Sequence, residues 1–414
     1  MLTTLKKLGP GLLFAGAAIG VSHLVQSTRA GADFGMGLLW ALLLVNLFKY
    51  PFFQFGPRYA SATGESLIEG YRKLGKGVLA TYFVLSLGTM FTIQTAVTIV
   101  TAGLANSLFG DIGPLVIAGI SISSLQLWTL IILSVCLIIL FIGKYNILDK
   151  LIKVIIITLT ISTLVAVVCA YTGFNQPLSF VQKLPKNATE IAFLIAFMGW
   201  MPAPLDISVW HSIWTIEKKK TQTTLSPKEA LLDFNIGYVS TIILGIAFLC
   251  LGYFVMHLSG ETFSNKAAVF SNQLIDLYTK SLGNWAYIFI GIAAFTTMFS
   301  TTITTLDASP RALSKSLDTL ANRTTRNGYR NWIFILTFGT LIIFFFFASE
   351  MGLLIKIATI LSFITAPFYA IVNYKLISSK HTPAAWRPSL KLHILSFLGI
   401  FFLIGFSLWY LNTL

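Results

Sequence analysis

Apolar residues run along this chain in long blocks, without the two-residue alternation of a half-buried strand. Eleven such blocks lie near 11–28, 36–55, 78–102, 127–142, 147–171, 190–214, 234–257, 285–306, 332–348, 352–374 and 392–411. Each approaches the roughly 20 residues that a helix needs to cross a hydrocarbon core. An unpaired backbone group is costly in lipid, so these blocks must form helices or a closed barrel, and their length selects helices. The pattern predicts an all-α membrane protein with eleven transmembrane helices. No polar stretch is long enough to build a soluble unit, so residues 1–414 read as a single transmembrane domain.

Two blocks are interrupted. The first reads GLLFAGAAIGVSHLVQSTRAGADFG, where Gly11, Gly16 and Gly20 weaken the helix and Ser22 and His23 sit near its middle. The sixth reads AFLIAFMGWMPAPLDISVWHSIW, where Pro202 and Pro204 each remove a helical hydrogen bond and Asp206 follows at once. If the first ten helices form two halves of five, these breaks fall at corresponding positions. Paired interruptions of that kind point to the binding site of a carrier. Unwound backbone frees carbonyls and amides at the midplane, where half-helix ends carry partial charges. Either break taken alone reads equally well as a kink repaired by its neighbours.

Composition sharpens the class. Of the 414 residues 56% are hydrophobic and 11% charged, and the mean hydropathy is +0.79. A soluble domain carries about a quarter charged residues, so soluble, disordered and fibrous classes are excluded. The net charge of +14 would suggest nucleic acid in a soluble protein; here it reads as basic flanks on cytoplasmic loops, with no nucleic-acid partner. With the N-terminus inside, most Lys and Arg fall on inner segments, from Lys6 and Lys7 through Lys144, Lys150 and Lys153 to the Lys218–Lys220 anchor and Lys391. The outer segments keep Arg29, Lys183, Lys186, Lys266 and Lys280. The C-terminus is then outside. Compactness and short loops suit a bacterial inner membrane. Cys136, Cys169 and Cys250 lie unpaired in apolar runs and read as packing residues. The amino-terminal stretch superficially resembles a signal peptide, but Gly9, Pro10 and Gly11 and the many later helices argue against cleavage. The sequons at Asn187 and Asn322 read as chance matches.

Several segments share a family likeness, in order and at matching spacing. They are GPGLLFAGAAIG followed by AGADFG and LLW, RYASATGESL from Arg58 to Leu67, Met201-Pro202, FSTTITTLDA in the eighth block and ITAPF in the tenth. Together they resemble the Nramp family of divalent-metal transporters over most of the chain. The resemblance implies a LeuT-like fold of inverted five-helix repeats, residues 8–175 and 187–378, plus one extra helix, residues 390–414. It implies a secondary transporter that moves a divalent metal by alternating access, with protons as coupling ion and no cofactor. The family's Asp-Pro-Gly-Asn break falls on Gly20-Val21-Ser22-His23, so the metal-binding Asp becomes Gly20 and the Asn ligand becomes His23. Met201 keeps the place of the thioether ligand and Pro202 is retained, while the next His and Asn become Ala203 and Pro204 and a further His becomes Ser208. Backbone carbonyl ligands would come from Ala17 and Met198. The acidic residues of the family's proton route are absent from the third helix, SLGTMFTIQTAVTIVTAG.

The substrate site is therefore expected at Ala17, Gly20, Ser22, His23, Met198, Met201 and Asp206, with His23 and Met201 as metal ligands. Imidazole and thioether suit a soft transition metal better than magnesium or calcium, while His23 reads equally as a helix–helix hydrogen bonder. Asp206 is the carboxylate nearest the bilayer centre and reads as substrate ligand, proton carrier or helix cap. His211 lies five residues on, turned away from Asp206. With Asp307 it completes a candidate proton pathway, although Asp307 also suits an ion pair at the inner interface. Lys49 lies within snorkelling reach of the inner surface. Ser300 to Thr305 read as a wet path or as close packing, and Phe344 to Phe347 as lipid-facing bulk. Loss of the family's Asp leaves room for another reading, a carrier of a small organic or anionic solute on the same fold. A receptor without transport is the third.

Overall fold

The computed structural model describes residues 9–117, 120–142, 145–221, 226–257, 263–264, 266–347 and 351–413. Lys6, Lys7, Lys144 and the candidate cleavage region through residue 8 lie outside the described residues.

The first apolar block forms two helical pieces. Helix α1 (Pro10–Ala18) opens with a proline in its first turn, where the missing N–H costs nothing. It stops at Ile19, whose φ/ψ of −78°/87° is not helical. The chain resumes through a π-helical turn (Ser22–Ser27) into α2 (Thr28–Phe34). Gly35, at φ +61°, reverses the chain as few other residues would. Helix α3 (Leu39–Thr63) then carries Pro51 and Pro57 inside it. A short amphipathic helix, α4 (Leu67–Leu74), starts at a Ser66/Glu69 capping box. Helices α5 (Lys76–Phe109), α6 (Ser124–Ile142) and α7 (Tyr145–Thr172) follow, with a small antiparallel hairpin, β1 (Leu115–Ile117) and β2 (Ile120–Ile122), before α6.

The second broken block gives α8 (Ala188–Trp200) and α9 (Ile207–Thr221), separated by six non-helical residues from Met201 to Asp206. Next come α10 (Pro227–Met256), capped by Ser226 and Glu229, and the amphipathic α11 (Ala267–Leu282). They are followed by α12 (Ala286–Ala321), α13 (Gly328–Phe347), α14 (Met351–Ser378) and α15 (Leu390–Leu411).

Among the described residues, eight helices are long and apolar enough to cross a membrane. Those formed by α6, α13 and α15 are the least enclosed by the rest of the protein, and they present Ile138, Phe338 and Phe401 outward. Helix α10 sits against both pieces of the first broken helix. A Cβ added at Gly11 would lie 2.1 Å from the Asp233 carbonyl oxygen, and one at Gly237 would lie 2.1 Å from that of Gly11. Gly31 and Gly252 make equivalent approaches between α2 and α10, at 2.0 and 2.1 Å. Small residues let helix backbones touch where lipid supplies no hydrophobic drive.

Three expectations change, and two helices fall outside the apolar blocks. Helix α12 runs to Ala321, well past 306 and through Pro310, because the left-handed Asn322 ends it. Phe344 is buried; of the phenylalanine run Phe345 and Phe346 are exposed, and the side chain of Phe347 lies outside the described residues. Helices α4 and α11 are too short or too amphipathic to register as membrane blocks, yet α11 buries Phe270, Leu274 and Tyr278. Lys49, expected to reach the inner surface, is fully enclosed.

Candidate functional site

The two breaks meet. Ser22, in the first turn after the α1 break, places its hydroxyl oxygen 3.4 Å from the Pro202 carbonyl oxygen in the α8–α9 gap. The same oxygen lies 2.7 Å from the Ala18 carbonyl at the end of α1, which also accepts the Gly20 N–H at 3.0 Å. A small cavity of about 20 Å³ lies between the breaks, with room for about one water. Ala17, Val21, Ile93, Val97 and Ile207 give it aliphatic walls, and Trp200 and Trp210 add two indoles. Ser22, Thr301 and Thr305 supply its hydroxyls. The Trp200 indole N–H is fixed by donating to the Ser362 hydroxyl at 2.8 Å.

Thr301 on α12 closes the first break. Its hydroxyl lies 3.2 Å from the Gly16 carbonyl and 3.4 Å from that of Ile19. A Cβ built on Gly20 would lie 2.8 Å from that hydroxyl oxygen and 3.0 Å from the Thr301 methyl. The absence of a side chain at position 20 and the presence of Thr301 are thus one arrangement.

His23 spends both ring nitrogens on the protein. Nε2 lies 2.9 Å from the Thr241 carbonyl, which can only accept, so Nε2 carries a proton. Nδ1 lies 2.7 Å from the Ser22 hydroxyl, its donor when the ring is neutral. His23 is not among the residues lining the cavity. Met201 is fully buried, with its sulfur beside Gly245 on α10. Among the described residues no group of three His, Cys, Asp or Glu side chains assembles into a metal site.

The residue that sequence reasoning misplaced is Lys49. Its ammonium, from the middle of α3, reaches the end of α8 and lies within hydrogen-bond distance of the carbonyl oxygens of Met198 and Gly199, both at 2.7 Å, Met201 at 3.1 Å and Ala203 at 3.3 Å. A helix C-terminus leaves carbonyls unpaired and carries partial negative charge, so a cation is favoured there. The sequence does hold a signal. Lys49 interrupts an otherwise apolar run, and an intramembrane charge needs a partner.

Asp206 stands directly before α9, at a capping position. Its Oδ1 has no hydrogen-bond partner among the described residues. It interacts electrostatically with Lys49 and with Tyr71, Tyr82 and Tyr369. His211 is stacked on Phe14 with ring centroids 5.6 Å apart, and neither ring nitrogen has a hydrogen bond among the described residues. Asp307 is remote in role: it pairs with Arg311 at 2.6 Å and accepts from the Tyr329 hydroxyl. The structure therefore joins Ala17, Ser22, Gly20 and Thr301 at one break and Met198, Met201, Lys49 and Asp206 at the other.

Comparison with known proteins places this geometry. The family model described as natural resistance-associated macrophage protein-like, Nramp, matches residues 11–413. The chain is 37% identical over 410 residues to an uncharacterized protein of Pasteurella multocida (strain Pm70), covering 97% of this chain and 90% of that relative. Its fold superposes on a mutant form of the Eremococcus coleocola manganese transporter with a TM-score of 0.74 at 13% identity, covering 98% of this chain and 86% of the other. It superposes on MhsT in complex with L-phenylalanine with a TM-score of 0.63 at 14% identity, covering 98% of each. The fold is the LeuT-like one expected of inverted five-helix repeats.

Proposed function

This chain belongs to the natural resistance-associated macrophage protein-like family, Nramp, and on that premise we propose that it is a secondary transporter moving a divalent metal cation by alternating access. The observation that carries the reading is the meeting of two unwound helix midpoints around one small cavity. Broken helices facing each other are how carriers of this architecture hold cargo at the membrane midplane. The manganese transporter that shares the fold makes manganese the first cargo to test.

The proposed cargo contacts are the Ala17 carbonyl, the Ser22 hydroxyl and, at the second break, the Met198 carbonyl, the Met201 sulfur and Asp206. His23 enters as the group that orients Ser22. Asp206, buried and with an oxygen that has no hydrogen-bond partner among the described residues, is the proposed proton-coupling carboxylate; His211 is a secondary candidate and Asp307 serves the inner-end ion pair. We place the protein in a bacterial inner membrane with its N-terminus cytoplasmic, and propose transport without catalysis of a chemical reaction or a resident cofactor. Uptake of manganese or cadmium by proteoliposomes tests the reading. Saturable flux is expected, and its absence from folded protein for manganese, iron and cadmium overturns it.

A second reading, carriage of a small organic solute, is favoured by one observation. The cavity walls are aliphatic and aromatic, and Thr301 stands where a cargo-binding carboxylate on residue 20 would begin. Stabilisation by an organic solute and none by metals would decide for it.

A further inference from the structure

The four carbonyl oxygens around the Lys49 ammonium form a cation cradle. They come from the last turn of α8 and the unwound residues after it, and all point at one nitrogen. An ammonium has three protons to donate, so four acceptors within 3.3 Å exceed what its hydrogen bonds need. The excess is characteristic of a site organised around positive charge. Lys49 is wholly enclosed, so water does not share the task. A buried charge of this kind persists only where it is fully compensated.

We propose that the Lys49 ammonium is a resident, displaceable cation: a tethered charge that fills the carbonyl cradle of the second broken helix and excludes free cations from it. Two of the four oxygens, those of Met198 and Met201, belong to residues proposed to meet cargo. A dication at those oxygens would stand within contact distance of the ammonium, and like charges at such range repel strongly in a low-dielectric site. Cargo therefore takes the Met198 carbonyl only after Lys49 moves. Asp206 Oδ1 has no hydrogen-bond partner among the described residues and is the nearby acceptor left for an ammonium that leaves the cradle within this proposal. The exchange links arrival of cargo to movement of a charge already inside the protein. This consequence rests on the transport reading, whereas the cradle itself can be tested without any flux.

The test uses the purified full-length protein and methylammonium chloride as a small monovalent probe. Tetramethylammonium chloride, too large for the cradle, controls for ionic strength. Lys49→Ala is expected to melt below the wild type and to gain roughly 1–3 °C for each tenfold rise in methylammonium above its Kd, while the wild type does not respond. A folded Lys49→Ala that ignores methylammonium overturns the proposal, as does an equal response of both proteins. Should Lys49→Ala fail to fold, Lys49→Arg and Lys49→Gln decide. Arg keeps the charge and Gln keeps only the hydrogen bonds. Folding of Lys49→Arg with failure or methylammonium dependence of Lys49→Gln supports the cradle; an Arg variant no better than the Gln variant overturns it. Manganese flux by the wild type is measured separately, so the transport reading and the cradle can fail independently.

Discussion

The hydroxyl of Thr301 stands 2.8 Å from the point that a Cβ on Gly20 would occupy. No real Cβ sits that close to a neighbouring oxygen, so α12 has taken the space from which a carboxylate at position 20 would reach the cavity. Gly20→Asp alone is expected to lower Tm without creating divalent-metal binding. Gly20→Asp with Thr301→Ala removes the hydroxyl and methyl and leaves only the Thr301 Cβ position, 3.3 Å away. The pair should recover most of the Tm and show manganese-dependent stabilisation. Thermal shift with and without manganese checks both steps, and metal binding by the single variant would show that the steric argument is wrong.

Asp206→Asn separates a carrier of protons from a helix cap. Asn caps a helix N-terminus about as well as Asp, so the variant should fold with a Tm close to that of the wild type. Flux is expected to fall by at least tenfold. Wild-type rates from Asp206→Asn would reduce Asp206 to its capping role.

His23 is held at both ring nitrogens, and its loss should register first in stability. His23→Ala removes the second hydrogen bond to the Thr241 carbonyl, inside α10, and leaves a buried gap the size of an imidazole, at a cost of about 1–3 kcal/mol. Denaturant unfolding in detergent measures this. The Kd for cargo should shift only through the Ser22 hydroxyl, which the imidazole orients. A fully stable His23→Ala with cargo binding abolished would instead make the imidazole a direct ligand.

Asp233 on α10 ties down the start of α1. Its two carboxylate oxygens accept the Gly9 and Gly11 N–H groups at 3.0 and 2.9 Å. Asp233→Ala should cost about 1–3 kcal/mol by orphaning buried donors, and hydrogen exchange should accelerate at Gly11 and Leu12. Unchanged protection there would mean that α1 is anchored by packing alone.

One acid-sensitive contact lies outside the membrane helices. Burial pushes the Glu69 carboxyl up, but the Lys315 ammonium at 2.7 Å and the Ser66 hydroxyl outweigh it, and the net direction is down from 4.5. A carboxyl depressed in the folded state stabilises above its unfolded pKa, and that contribution fades as the pH falls below about 4.5. Glu69→Gln should therefore lower Tm modestly at pH 7 and converge with the wild type in acid. Parallel Tm curves from pH 7 to 3 would assign Glu69 no part in this linkage.

Much of the architecture was legible because lipid leaves the backbone few choices. Apolar blocks had to become helices, and prolines and glycines in mid-block marked where they break. The breaks at Ile19–Gly20 and Met201–Asp206 fall where the sequence put them. What was not legible is which polar group each break recruits. The apolar pattern ends the second block near residue 55, which puts Lys49 close to an edge. In fact α3 continues to Thr63, which puts Lys49 near its middle. His23 fell at the break as read, but no local signal tells that Thr241, more than two hundred residues away, would claim its Nε2. Partnerships of this kind depend on which helices become neighbours, and hydropathy does not encode that.

The contacts of α10 with the first broken helix carry a mechanical consequence. At Gly11, Gly31, Gly237 and Gly252 main chain rests on main chain with no side chain between to change rotamer. Such a seam cannot slip by small increments. It holds or it separates, and separation would also strip Gly9 and Gly11 of the Asp233 carboxylate. Both fragments of that helix are thereby riveted to α10, and any stroke that opens the cavity must carry all three as one lever, with its pivot elsewhere.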